Sequence, residues 1–200
     1  MKANIKRSKS DDKVNLYTTP EWATKALIDT GELASTQSWW EPCCGMGHIA
    51  DVLTTEKVGD KSFASDLHNH GYGVAGLNFL EQTENECDTI ITNPPFDTEG
   101  THFVMLKHAL ALPNVKKVAF FMPMQFLETK GRCEWLETTK MMSRVYTFAD
   151  RVKCLTKGDP ELSKNNTAKH FAWFIFETTY LGEATIKYLY KPDHMRRKSA

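Results

Sequence analysis

Short apolar runs alternate with amphipathic segments along most of the sequence, and this alternation restricts the fold more than any other feature. Seven runs predict β-strands, at 38–42, 61–66, 72–76, 88–92, 115–123, 143–149 and 169–177. Four segments with helical spacing predict α-helices, at 21–28, 47–56, 100–112 and 131–139. Strands that alternate with helices predict an α/β fold with a mostly parallel sheet.

A chain of 200 residues suits one domain, and no internal repeat is visible. We predict a disordered tail at 1–14, a single domain at 15–190 and a basic tail at 191–200. The net charge is zero, but residues 1–13 hold five Lys or Arg against two Asp, and 187–200 hold five against one. Such ends either contact a phosphate backbone or are simply solvated.

Cysteine usage and hydropathy indicate the compartment. The five cysteines form no CxxC pair, so they predict free thiols in a reducing cytoplasm and no zinc site. His68 and His70 lack an evident third metal ligand and are interpreted as loop residues, so no metal is predicted. No apolar run approaches the ~20 residues of a membrane span.

The segment WWEPCCGMGHIADVL, residues 39–53, predicts a ligand-binding turn. A strand ends at Glu41 and Pro42, and Gly45 and Gly47 precede a helix, which lets the backbone approach a ligand at the carboxyl end of a strand. Asp66 follows Gly45 by 21 residues, a spacing that suits a carboxylate bonded to ribose hydroxyls. Position 50 is Ala, so GxGxxG is incomplete, which favours a nucleoside without a pyrophosphate. The alternative is an ordinary strand–helix turn.

The segment NPPF, residues 93–96, ends a buried strand with two rigid prolines. The Asn93 side chain and the Pro94 carbonyl are hydrogen-bond acceptors, and Phe96 offers a ring for stacking. Together they form a receptor for a flat group that bears an NH₂. Hydrogen bonds to that amine would orient its lone pair toward a methyl sulfonium. The alternative is a rigid strand-end turn.

Three further regions complete the set of candidates. Tyr17-Thr18-Thr19-Pro20 precedes the first helix, where Thr19 suits a cap and Pro20 the first helical position. The long connection between 148 and 169 is interpreted as a substrate-facing loop or a plain surface loop; its cations are Arg151, Lys153, Lys157 and Lys164. Phe126 follows a predicted strand and is placed at the border of a base pocket.

Taken together, these segments resemble the S-adenosylmethionine-dependent DNA amino-methyltransferases, most closely the N6-adenine enzymes of phage and bacteria whose cofactor motifs come first. The resemblance covers residues 15–125, with a weaker echo in HFAWFIFE at 170–177. It implies a Rossmann-like class I methyltransferase fold, with a seven-stranded sheet whose last strand, 169–177, is antiparallel. It also implies that the protein is located in the cytoplasm of a bacterial or phage-infected cell.

The resemblance implies a role for each motif. The cofactor S-adenosylmethionine would be bound by residues of five segments: Tyr17, Thr18, Thr19, Pro20, Glu41, Pro42, Cys43, Gly45, Gly47, Asp66, Leu67, Asn78, Phe79 and Asn93. The catalytic turn would hold a flipped adenine, with Asn93, Pro94, Pro95 and Phe96. The family usually has Asp where this sequence has Asn78. No separate target-recognition domain follows, so loops, tails, a protein partner or a homodimer would have to supply sequence recognition.

The expected activity is methyl transfer to the exocyclic N6 amine of adenine in DNA. Motifs similar to NPPF also occur in enzymes that methylate guanine in ribosomal RNA or glutamine in proteins, so RNA base methylation is an alternative. A cofactor-binding subunit without activity of its own, or one that needs a partner, is a second alternative.

Overall fold

A computed structural model describes residues 16–156, 158–159, 169–192 and 195. Its strands are β1 (Tyr17–Thr18), β2 (Ser38–Glu41), β3 (Lys61–Asp66), β4 (Val74–Ala75), β5 (Thr89–Thr92), β6 (Lys117–Pro123), β7 (Met142–Phe148), β8 (Leu155–Thr156), β9 (Phe171–Glu177) and β10 (Thr185–Leu189). Its α-helices are α1 (Glu21–Asp29), α2 (His48–Thr55), α3 (Thr101–Ala111) and α4 (Lys130–Thr139). Two 3₁₀ helices span Phe79–Glu81 and Met124–Glu128. The predicted tail at 1–14 lies outside the described residues.

The main sheet has eight strands in the order β10-β7-β9-β6-β5-β2-β3-β4. β9 pairs antiparallel with both β6 and β7, and the other pairs are parallel. The prediction of a mostly parallel sheet with an antiparallel strand from 169–177 is therefore confirmed. The count is eight and not seven because β10, which the sequence analysis did not predict, follows β9 and pairs with β7.

The sheet is covered on both faces, which explains why its central strands are continuous apolar runs. Every residue of β6 is buried. Neighbouring residues on the central strands enter opposite cores: Ile90 and Phe120 pack toward α3, whereas Ile91 and Phe121 pack toward α1 and α2. This two-sided burial holds the strand ends in fixed positions.

At the amino ends of the parallel strands, a buried ionic cluster joins Glu32 to three strand residues. The Glu32 carboxylate accepts hydrogen bonds from Lys117 Nζ at 2.6 Å, Arg144 at 2.8 Å and the Tyr146 hydroxyl at 2.9 Å. Burial by itself would raise the pKa of this carboxyl, but the bonds from Arg144 and Lys117 outweigh it and lower the pKa. The cluster lies at the edge opposite the ends of β2, β3 and β5, so it supports the sheet and not the site described below.

The first helix begins at Glu21, as its helical spacing predicts, but its capping differs from the prediction. Pro20 occupies the N-cap position and no side chain caps the helix, so the prediction that Thr19 caps α1 and Pro20 opens it is wrong. Thr19 makes a different contact, described below. Within the described parts of the chain, none of the helices combines the length and apolar character that a bilayer crossing requires.

Candidate active site

A pocket of about 320 Å³ opens where the parallel strands β2, β3 and β5 end. Such carboxyl ends are where open α/β sheets bind ligands. The pocket brings together residues from the segment before the first helix (17–20), the turn after β2 (within 39–53) and the NPPF turn (93–96). Of the residues that the sequence singled out for binding or catalysis, those lining it are Tyr17, Thr18, Thr19, Glu41, Cys43, Gly45, Asp66, Leu67, Asn93, Pro94, Pro95 and Phe96.

Two glycines of the turn after β2 have backbone conformations that side chains rarely adopt. Gly45 has φ +52° and Gly47 has φ +85°. A Cβ at Gly45 would lie 2.7 Å from Leu16 Cδ1, and one at Gly47 would lie 2.4 Å from the ring of Tyr72. Glycine is therefore favoured at both positions by backbone conformation, and at position 47 the ring of Tyr72 also leaves little space for a side chain.

Asp66, at the end of β3, is fixed by two backbone groups. Its Oδ2 accepts from the N–H of Gly45 at 2.9 Å, and its Oδ1 accepts from the N–H of His68 at 2.9 Å. Each oxygen keeps a second lone pair for a ligand hydroxyl. The Gly45 bond also joins the ends of β2 and β3, so the predicted spacing between glycine and acid corresponds to a direct contact.

Glu41 lies under the pocket with only 1% of its surface exposed. Its Oε2 accepts from the N–H of Ala50 at 2.9 Å. Burial raises the pKa of the Glu41 carboxyl well above its usual range, the Ala50 bond opposes this, and the nearby Asp66 and Asp51 add to it. Among the residues that the structure describes, the pocket lining contains the carboxyl groups of Glu41, Asp66 and Asp97 but no Lys or Arg, so this lining favours a cationic ligand.

The side chain of Asn93 is oriented by the segment that precedes α1. Its Nδ2 donates to the carbonyl oxygen of Tyr17 at 2.9 Å and to Thr19 Oγ1 at 3.1 Å. A flipped amide would place its oxygen against the Tyr17 carbonyl, two acceptors facing each other, so the contacts select one orientation. Both N–H bonds are used, and Oδ1 is left as the acceptor for a ligand.

Phe96 is half-buried, and aromatic rings and a cation surround it. Its ring centroid lies 5.4 Å from that of His102 and 6.2 Å from that of Phe171, and Lys169 Nζ lies 5.9 Å from the Phe96 centroid. Burial, and then the charge of Arg132, lower the pKa of His102, which favours its neutral form. The sequence analysis did not identify His102 or Lys169 as site residues, since neither belongs to a recognisable motif.

The structure places Phe126 in the core and not at the pocket. Phe126 is 2% exposed and packs against Phe174, with ring centroids 5.3 Å apart. Its ring lies 6.1 Å from that of His102, which in turn contacts Phe96. Phe126 therefore does not line this pocket, because the 3₁₀ helix that carries it turns the ring inward, and its place at the border of a base pocket stays a prediction.

Asn78 and Phe79 lie outside the pocket lining. The Asn78 side chain accepts from the N–H of Leu80 at 3.2 Å and donates to Glu81 at 2.8 Å, which caps a 3₁₀ helix. Phe79 is 3% exposed, and its ring centroid lies 5.0 Å from that of Trp40. Pro20, Pro42 and Gly47 adjoin lining residues in the chain without lining the pocket themselves.

The basic connection after β7 reaches the pocket through a short strand pair. Arg151 and Lys153 are exposed, whereas Val152 and Cys154 between and after them are buried. β8 then pairs antiparallel with β1, so Leu155 lies opposite Thr18. Lys157 and Lys164 lie outside the described residues.

Thiol and imidazole groups lie close to the pocket. Burial raises the pKa of both the Cys43 and the Cys44 thiols, to about 12 for Cys44. His70 Nε2 lies 3.8 Å from Asp66 Oδ1. Across the described part of the chain, no three His, Cys, Asp or Glu side chains are grouped in a way that could hold a metal ion.

No family model matches the chain, and no curated protein sequence matches it. Solved structures do. The methyltransferase subunit of a type I restriction-modification system from Streptococcus thermophilus aligns with a TM-score of 0.56 and 14% identity, over 84% of this chain and 46% of that subunit. The 23S rRNA methyltransferase ErmE aligns with a TM-score of 0.57 and 12% identity, over 84% and 72%. A dimethyladenosine transferase from Plasmodium falciparum aligns with a TM-score of 0.53 and 13% identity, over 81% and 62%.

At this level of identity the similarity concerns the fold, which is the Rossmann-like class I methyltransferase fold. The chain spans about half the length of the restriction-modification subunit that it matches.

Proposed function

We propose that the protein transfers the methyl group of S-adenosylmethionine to the exocyclic N6 amine of adenine in DNA. The observation that carries this proposal is the orientation of Asn93. Its two N–H bonds are held by Tyr17 and Thr19, so Oδ1 is presented beside an acidic pocket. An acceptor fixed next to a site for a cationic ligand suits the alkylation of an amine.

The pocket fits S-adenosylmethionine by charge and by hydrogen bonding. The cofactor carries a sulfonium and an ammonium group, which the carboxylates of Glu41 and Asp66 would attract, and the described part of the lining holds no Lys or Arg to oppose them. The remaining lone pairs of Asp66 would accept from the ribose hydroxyls. Glycines at 45 and 47 keep the turn close to the ligand. When bound, the cofactor supplies an electrophilic methyl group.

The residues of NPPF would bind and orient the acceptor. Asn93 Oδ1 and the carbonyl oxygen of Pro94 would accept the two N–H bonds of the amine, which draws its lone pair out of conjugation with the ring. Phe96 would stack on the flipped base. The same two oxygens would share the positive charge that develops on the nitrogen, so no strong base is needed, and the surplus proton passes to water.

RNA adenine is the second candidate acceptor. Similar structures include an rRNA methyltransferase and a dimethyladenosine transferase as well as a restriction-modification subunit. The catalytic geometry described above would serve either polymer. Sequence recognition would come from loops or from a protein partner, including a second copy.

The proposal is tested by incubating the protein with S-adenosylmethionine and with duplex DNA, single-stranded DNA or structured RNA. Mass spectrometry of the digested polymer should show N6-methyladenine in DNA. Asn93→Ala should lower turnover at least about 100-fold while cofactor binding persists. Thr98→Ala, an exposed change in the same loop, is the matched control. If RNA is the only polymer methylated, the acceptor is RNA and not DNA. Absence of methylation in every polymer would favour a cofactor-binding subunit without activity of its own.

A further inference from the structure

The cations of this chain are distributed unevenly around the candidate active site. Residues 62–106 contain no Lys or Arg but seven Asp or Glu. This segment forms nearly all of β3, all of β4 and β5, and the turns that follow them. Among the described residues, the part of the carboxyl edge on the β4 side of the pocket therefore has no Lys or Arg of its own to bind a polyanion.

On the other side of the pocket, three lysines follow one another in strand order. Lys169 precedes β9, and because β9 is antiparallel, its amino end lies at the edge formed by the carboxyl ends of the parallel strands. Lys153 follows β7 and Lys191 follows β10, so both lie at the same edge. β9, β7 and β10 are consecutive neighbours in the sheet. We call these three residues the cationic row.

The cationic row begins at the proposed base site. Lys169 Nζ lies 5.9 Å from the centroid of the Phe96 ring. The segment that contains Lys153 connects β7 to the β8–β1 pair, and Tyr17 and Thr18 of β1 line the pocket. The row is thus continuous with the pocket at one end and with the edge of the sheet at the other.

The end of the row near β10 combines a cation with an exposed aromatic ring. The backbone N–H of Lys191 donates to Asp150 Oδ2 at 2.9 Å, which fixes the position of this residue. Tyr188 on β10 is 64% exposed, and an exposed ring next to cations suits base stacking. β5 and β10 are four strand spacings apart, about 19 Å, a length that holds roughly five or six phosphates of one strand.

We propose that the cationic row binds the phosphates of the substrate strand on one side of the target base. The strand then leaves the pocket toward β10 and not toward β4. This inference rests on the proposed function, because it takes the acceptor to be a base in DNA. It adds the direction in which the substrate strand leaves the pocket and the stretch of phosphates that the protein contacts, neither of which the reaction itself requires.

A charge-matched pair of variants tests the row. One carries Lys153→Gln, Lys169→Gln and Lys191→Gln. The control carries Lys61→Gln, Lys116→Gln and Lys140→Gln, which lie at or near the amino ends of β3, β6 and β7, at the opposite edge. Fluorescence anisotropy with labelled DNA at several salt concentrations should show at least about tenfold weaker binding for the row variant only. The slope of log affinity against log salt should become shallower by about 0.7–0.9 for each phosphate that the variant no longer neutralises.

Truncated substrates test the direction. With the target adenine moved toward either end of the DNA, methylation by the wild-type protein should need about five flanking nucleotides on one side only, and the row variant should not show that requirement. If DNA binding weakens equally in both variants, or if methylation needs equally many flanking nucleotides on both sides, the cationic row does not bind the strand as proposed. Either result would leave the proposed function intact. A wild-type protein that neither binds nor methylates DNA would overturn both, and thermal melts confirm that each variant is folded.

Discussion

Asn93 Nδ2 donates to the carbonyl oxygen of Tyr17 at 2.9 Å, across 76 positions of the sequence. This contact joins the turn after β5 to the segment before α1. Together with the bond from the same nitrogen to Thr19 Oγ1, it fixes the amide that is proposed to hold the acceptor amine. The groups around this amide can be altered one at a time, and each change has its own expected result.

Removal of the Thr19 hydroxyl should reduce turnover more than cofactor binding. Thr19→Val keeps the shape of a side chain that is 2% exposed but removes one acceptor of the Asn93 amide. The amide is then less firmly oriented, and we expect kcat to fall about tenfold with little change in cofactor affinity. Thr18→Val is the matched control, since Thr18 Oγ1 bonds to the carbonyl oxygen of Leu155 instead. Equal effects of the two variants would contradict the assigned role of Thr19.

The buried Glu41 carboxyl should make cofactor binding release a proton. Its pKa is raised in the free protein, chiefly by burial, and a cationic ligand beside it favours the charged form. Affinity for S-adenosylmethionine should therefore increase as pH rises through the region above the ordinary glutamate value. Calorimetric titrations in buffers of different ionisation enthalpy count the protons released. Glu41→Gln should abolish the release, and an unchanged release in that variant would assign it to another group.

The same group sets the sign of a pH effect on stability. The folded protein holds the Glu41 proton more tightly than the unfolded chain does, so the free energy of unfolding should decrease as pH rises between the unfolded and folded pKa values. Denaturant unfolding at a series of pH values should show this decrease in the wild type and a smaller one in Glu41→Gln. Parallel pH profiles for the two proteins would be incompatible with a raised pKa at Glu41.

Glu32 should have the opposite pH dependence. Its folded pKa is lowered by Arg144 and Lys117 against the effect of burial, so its contribution is present above the unfolded pKa and disappears as pH falls. Glu32→Gln should lower the free energy of unfolding at pH 7 by up to roughly 3 kcal/mol, because the buried Lys117 and the half-buried Arg144 lose one of their two carboxylate partners and keep Glu177. Glu56→Gln, which breaks the exposed pair with Lys25, should have a much smaller effect, because solvent screens the pair. Urea unfolding measures both, and similar decreases would contradict the buried cluster.

A methyl group added at position 47 should disturb the cofactor turn without changing the chemistry of the acceptor site. Gly47→Ala strains a backbone at φ +85° and places Cβ 2.4 Å from the Tyr72 ring. We expect a decrease of at least about 1 kcal/mol in unfolding free energy and weaker cofactor binding. Gly71→Ala has a similar φ of +83° but open space around it, so it separates backbone strain from the steric clash. Equal cofactor affinity in both variants would show that the clash is absorbed.

Most of the fold was predictable from the sequence because it follows from local patterns of apolar residues. The runs that became β5, β6 and β9 are largely apolar and buried on both faces, as expected of central strands. β10 was missed because four of its five residues are exposed and it lacks the apolar pattern of the central strands. The two-residue strands β1 and β8 are too short to produce any period.

The composition of the site was predictable to the extent that motifs carry it. Gly45 and Asp66 were linked by spacing, and they touch in the structure. The contact between Asn93 and Thr19 joins residues 74 positions apart, and no local pattern encodes it. The burial of Phe126 was not predictable because sequence alone does not give the direction in which a 3₁₀ helix points its ring.

The most direct test of the central claim is a calorimetric titration of S-adenosylmethionine and S-adenosylhomocysteine into the pure protein, with Asp66→Ala as the comparison. We predict micromolar binding of S-adenosylmethionine by the wild type and at least about tenfold weaker binding by the variant, because Asp66 is fixed by Gly45 and His68 to receive ligand hydroxyls. Absence of binding by the wild type, both alone and with DNA or RNA present, would contradict the assignment of the pocket to this cofactor.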